Sequence, residues 1–229
     1  MIKFYTAVGR YVLRKDDQGI RYPLVIAGDR EYELDIQEMI IWSSLLWKIR
    51  TYDELKAEYS KQALSAHVCL EAPFDGYINR LLQRGLIVSG SDYVGIDALY
   101  ALLSRLYILP IADALTAKIG AFIKLTFQGV PFRITSKIFK REKLSANEEE
   151  VLYITRQQMM STAELIRCVQ LGEHDVDNED KLVDVLYSDA DTTGDNIHIA
   201  SRFEEVQPSV LKAVAGLYMK KMILFEKTV

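Results

Sequence analysis

Tyr77-Ile78-Asn79-Arg80-Leu81-Leu82-Gln83-Arg84, running straight into Gly85-Leu86-Ile87-Val88, decides how this chain is read. The stretch is a helix from about Phe74 to Arg84, ended by Gly85 in the C-cap position, with an apolar strand directly behind it. The same succession recurs near the other end. Leu211–Lys221 reads as a helix and Met222-Ile223-Leu224-Phe225 as a strand.

Two shorter helices precede each of these. Asp35 with Glu38 three residues on is a capping-box pattern, and Met39, Ile40, Leu45, Leu46 and Ile49 follow near helical spacing, widened by Trp42 and Trp47. Thr51 with Glu54 caps the next helix, and Leu55 faces inward. Ser145 with Glu148 opens the second copy, whose helices are expected over about 146–158, from Thr162, and from near Pro208, a residue tolerated in a first helical turn. The repeat is one of hydrophobic architecture, without residue-level identity between the copies.

Outside the copies, Phe4–Val8, Arg10–Arg14 and Tyr22–Ile26 read as strands, with turn signals at Asp16-Asp17-Gln18-Gly19 and Gly28-Asp29 before Glu31-Tyr32-Glu33-Leu34. Residues 95–143 are expected to be a linker of helices, one before Pro110 and one over roughly 111–127. Gly129-Val130-Pro131 then breaks the chain ahead of a short basic helix, Ile134–Arg141. An insertion at 171–195 holds nine acids and one Lys, Lys181. The expected domains are therefore 1–94, 95–143 as an apolar and basic linker, and 144–229 with the acidic insertion.

The 229 residues are 49% hydrophobic and 26% charged, an ordinary globular composition. The start lacks a signal-peptide pattern. The most apolar stretch, Ala98–Phe127, is interrupted by Arg105, Asp113, Lys118 and Lys124, whereas a membrane helix needs about 18 uninterrupted apolar residues. Cys69 and Cys168 read as buried, reduced thiols of a cytoplasmic protein. The net charge of −4 divides into −2 over residues 1–100, +6 over 101–143 and −8 over 144–229. An acidic total argues against a non-specific DNA-coating protein and leaves room for a local basic patch.

Little points to catalysis. Asp189-Ala190-Asp191-Thr192-Thr193-Gly194-Asp195 begins like a calcium loop, but Ala200 stands where the bidentate Glu belongs. No phosphate-binding Gly-rich loop or nucleophile elbow is present, and His67, His174 and His198 lack evident partners. No catalytic residue, metal ligand or cofactor is assigned, and an enzyme is the least supported class.

The succession of helices and strands resembles the winged helix, a fold whose third helix enters the DNA major groove, and the tandem is similar to bacterial transcription regulators. The expected fold class is mostly α, of the α+β kind, with two winged-helix domains joined by a helical linker, small β-wings and a three-stranded antiparallel N-terminal sheet. The resemblance implies a non-enzymatic regulator in which Asn79, Arg80 and Arg84 contact bases while Lys137, Lys140, Arg141, Lys212, Lys220 and Lys221 contact phosphate. Over residues 8–90, Tyr32-Glu33-Leu34, Ile41-Trp42, Thr51–Leu55 and Leu81–Ile87 also resemble the RiPP recognition element. That resemblance implies peptide binding by strand addition, in a groove between a strand near Tyr22–Ile26 and helix Phe74–Arg84. The partners expected are thus DNA or, alternatively, a peptide or protein, with no membrane; the apolar linker also admits a homodimer interface.

Overall fold

Gly9 (φ 88°) sets the architecture of the N-terminal half. A Cβ there would sit 2.3 Å from the Ile26 carbonyl oxygen, so only glycine passes this point, where the chain leaves one sheet and enters another. The computed structural model describes residues 1–15, 17–19, 21–65, 73–111, 143–188 and 191–227. Before Gly9, β1 (Ile2–Ala7) runs down the middle of the first sheet. After it, β2 (Arg10–Lys15), β3 (Arg21–Ala27) and β4 (Arg30–Tyr32) form a three-stranded antiparallel sheet in that order. The strand expected over Phe4–Val8 therefore belongs to a different sheet from its sequence neighbours, and β4 supplies the third strand instead.

Four more elements complete the first unit: α1 (Ile36–Leu45), β5 (Arg50–Thr51), α2 (Tyr52–Ser65) and α3 (Phe74–Gln83), followed by β6 (Ile87–Asp92). The capping box of Asp35 and Glu38 forms as expected, and Thr51 and Glu54 exchange bonds in the same way at α2. Gly85 adopts φ 71° and lets the Leu86 amide bond back to the Leu81 carbonyl, which ends α3 and starts the strand. β6 pairs with β1 and runs into α4 (Gly95–Leu103), so no wing hairpin follows α3.

The second unit contains β7 (Tyr107–Pro110), α5 (Ala146–Gln157), β8 (Met160–Ser161), α6 (Thr162–Leu171), α7 (Glu179–Leu186), α8 (Ile197–Ala200), a 3₁₀ turn at Ser201–Phe203, α9 (Gln207–Met219) and β9 (Ile223–Glu226). The segment expected to be a helical linker thus contains a strand. Tyr107-Ile108-Leu109 finds partners on both sides, β8 and β9, and this pairing overrides helix propensity. The helix expected over 111–127 and the basic helix Ile134–Arg141 lie outside the described residues, apart from Ile111.

The repeat extends to single residues. In the first sheet (order β5-β1-β6) Tyr5 faces Arg50 and Ser89; in the third (order β8-β7-β9) Ile108 faces Met160 and Phe225. Ser145 with Glu148 and Ser161 with Glu164 close capping boxes at the positions matching Asp35 with Glu38 and Thr51 with Glu54. Lys221 (φ 60°) stands where Gly85 does, and the Met222 amide bonds back to the Leu217 carbonyl as Leu86 does to Leu81.

Alternating side chains put the first sheet between two cores. Tyr5 and Ala7 join Ile41, Trp42, Leu45, Leu55 and Leu81 on one side. Val8, with Phe4 and Val88 packed alongside, joins the larger core of α4, α5, α6 and α9 on the other. Gly90 has no room for a side chain, since a Cβ would lie 2.1 Å from the Leu102 amide of α4. Polar ties cross the same junction. The Tyr218 hydroxyl donates to the Leu45 carbonyl at 3.2 Å with the Ala7 carbonyl 3.4 Å away, and the Gly9 amide donates to the Phe225 carbonyl at 2.9 Å. Among the described residues no helix is long and apolar enough to cross a membrane.

Candidate functional site

α3 buries Tyr77, Ile78 and Leu81 and exposes Asn79, Arg80 and Gln83. Of the expected base-contacting residues, Arg84 is engaged within the fold. Its Nη1 lies 2.8 Å from Glu38 Oε2, its Nη2 donates to the Glu33 carbonyl at 2.6 Å, and its guanidinium covers the Tyr32 ring at 5.3 Å. Arg80 is half-exposed, with Asp35 Oδ2 and Glu38 Oε1 each at 3.4 Å and the Tyr77 ring beneath it. The Glu38 side chain is only 3% exposed, so the two arginines offset the cost of burying its charge. Helix capping and α3 docking are therefore one cluster.

The second unit repeats the cluster with a lysine. Lys220 Nζ donates to Glu148 Oε2 at 2.7 Å and to the Lys143 carbonyl at 3.0 Å. Burial opposes ionisation of Glu148, but Lys220 and the Ser145 amide and hydroxyl outweigh it and hold the carboxyl below its ordinary range. Lys221 lies 5.3 Å over the ring of Trp47, across the junction between the units. α9 itself buries Val210, Leu211, Ala213, Val214, Leu217 and Tyr218. Lys212 and Lys221 remain exposed, and Lys212 lies in an open cleft of about 650 Å³ that it shares with Ser145, Asn147, Glu205 and Ser209. Lys137, Lys140 and Arg141 lie outside the described residues, as do His67 and Cys69.

Cys168 is buried and unpaired as a disulfide, and burial, with Glu164 and Glu173 nearby, pushes its thiol up to about 12, where it is not nucleophilic at neutral pH. Burial and Arg105 lower the pKa of His198, and Arg105 Nη2 lies 2.7 Å from its Nε2, an arrangement suited to a neutral ring accepting that hydrogen bond. Among the described residues no group of three His, Cys, Asp or Glu side chains converges as a metal site. In the acidic insertion, Asn196 closes the loop instead, accepting from the Thr193 amide and donating to the Asp191 carbonyl.

The remaining feature is a sheet edge, and it lies on a different strand from the edge strand expected near Tyr22–Ile26. β3 is the central strand of its sheet, paired with β2 along Arg21–Ile26 and with β4 over Val25–Ala27, so the expected groove beside Tyr22–Ile26 is a paired interior. Just after β4, Arg84 of the α3 C-terminus covers the Tyr32 ring and donates to the Glu33 carbonyl. The opposite edge belongs to β2, which among the described residues pairs only with β3. Five of its six residues are exposed, Tyr11 at 46% and Leu13 at 51% among them. Natural edge strands of this length are usually covered, bulged, interrupted by proline or guarded by charged side chains, and β2 carries Arg10, Arg14 and Lys15. β2 contains no proline.

No protein-family description, curated protein or solved structure matches this chain.

Proposed function

We propose that this is a non-enzymatic binding protein built from two winged-helix-type units, the first of which takes up an extended peptide as an added strand on β2. The order of helix, two-residue strand, two helices and strand in the first unit supports the winged-helix assignment, and the second unit keeps that order with α7, α8 and a 3₁₀ turn inserted between α6 and α9; in both the central strand comes from ahead of the first helix. The observation that carries the binding reading is the edge of β2, unpaired among the described residues, six residues long, solvent-exposed and bearing Tyr11 and Leu13. Such an edge offers unpaired backbone donors and acceptors for affinity and alternating side chains for selectivity. The test is to recover ligands from a random-peptide display library on the full chain. Each is then measured against single proline substitutions at Tyr11, Val12, Leu13 and Arg14, with folding checked by circular dichroism. Alternate proline variants should stay folded and lose the peptides. Folded variants that all bind like the parent would overturn the reading.

Asn79, Arg80 and Gln83, side by side on the exposed face of α3, favour a second reading, a DNA-binding regulator using Lys212 and the basic stretch Lys137, Lys140 and Arg141 for phosphate. Anisotropy of a labelled 30-base-pair duplex decides it. Binding at low salt that weakens with added salt and is lost in Asn79→Ala and Arg80→Ala would support it, and no binding at low salt would exclude it.

A further inference from the structure

The edge of β2 has a charge pattern as well as a shape. Its sequence is Arg10-Tyr11-Val12-Leu13-Arg14-Lys15, with three cations and no acid. Alternation divides it into two faces. Tyr11 and Leu13 stand on the face that carries Val25, opposite Tyr11, into the first core. Arg10 and Arg14 stand on the other, where Arg14 reaches across β3 to Glu31 and is held extended. One guanidinium nitrogen meets that carboxylate, and the group has further donors. Lys15 extends the positive charge to the end of the strand. A segment laid beside β2 must also alternate. Its residues on one face meet exposed Tyr11 and Leu13, and those on the other meet Arg10 and Arg14.

We infer that the ligand class is an extended peptide in which apolar residues alternate with acidic ones, the apolar set lying against Tyr11 and Leu13 and the acidic set against Arg10 and Arg14. This rests on the strand-addition reading above and adds the chemistry of the partner. Cross-strand pairs of opposite charge help and like charges directly opposite hurt, each by about 0.2–1 kcal/mol, so a few such positions together yield about tenfold discrimination.

Fluorescein-labelled ten-residue peptides test it on the full chain by anisotropy. One alternates Glu and Val over six central positions, one alternates Lys and Val, and two are copies of the Glu peptide N-methylated on one alternate set of residues or the other. The Glu peptide should bind at least about tenfold more tightly than the Lys peptide, and Arg10→Glu with Arg14→Glu should reverse that preference. Methylation of one set should abolish binding while the other is tolerated, because only alternate amides face the added edge. Equal binding of Glu and Lys peptides, with that methylation pattern intact, would overturn the acidic class and leave strand addition standing. Indifference to methylation at both sets would overturn strand addition, and with it the inference.

Discussion

Glu148 shows how much a single side chain holds in this protein. Its carboxylate accepts the Ser145 amide at the start of α5 and the Lys220 ammonium at the end of α9. Glu148→Ala leaves that amide without its acceptor and Lys220 with one carbonyl, so it is expected to cost about 2 kcal/mol in urea unfolding. The pH dependence follows from the depressed folded pKa. The contribution is complete above the ordinary carboxylate value of about 4.3 and is lost as pH falls through the lower folded value. The gap in urea midpoint between the parent and Glu148→Gln should thus be wide at pH 7 and narrow at pH 3. An equal gap at both pH values would show that ionisation of Glu148 is not its source. Gly90 makes the opposite case, since Gly90→Ala drives a methyl group into the α4 backbone. A loss of about 2 kcal/mol or more is expected, and a neutral result would mean that α4 can shift.

Among the elements, α9 joins the two units. Tyr218 stacks on Phe225 at 4.3 Å within the second unit while its hydroxyl reaches backbone carbonyls of the first. Tyr218→Phe removes only those hydrogen bonds and should cost about 1–2 kcal/mol, with the far-ultraviolet spectrum unchanged. Burial pushes the phenol up to about 12, and Tyr52, Tyr59, Tyr100 and Tyr187 are raised as well, so a spectrophotometric titration should find a late-ionising group of tyrosines that is smaller by one in the Phe variant. The boundaries of several elements were legible locally. Asp35, Thr51, Ser145 and Thr162 stand at or beside the starts of α1, α2, α5 and α6, and Gly85 ends α3, because capping depends on residues within one turn. The equivalent of Gly85 at α9 was not legible. Lys221 adopts the same left-handed conformation through its place in the fold and its contact with Trp47, and lysine carries no signal for it.

For the whole molecule, the large core contains Val8 of the first unit, with Phe4, Trp47, Ile49 and Val88 packed against it. Neither unit buries the junction face of the first sheet alone. Urea unfolding followed by tryptophan fluorescence, from Trp42 and Trp47 in the first unit, should therefore coincide with unfolding followed by far-ultraviolet circular dichroism. Two separated transitions would mean that the units are independent. The sequence by itself determined the local features: the ordering of helices, their capped starts, the breaking glycines and the presence of two related halves. These rest on residues a few positions apart. Tertiary structure alone decided which sheet β1 enters, that Tyr107–Pro110 is a central strand, that β3 is interior and β2 an edge, and that Arg84 and Lys220 are engaged in ion pairs within the fold. The first two and the last of those outcomes depend on partners dozens of residues away, and the order of β2, β3 and β4 on which strands pair in a local meander, neither of which periodicity and capping encode.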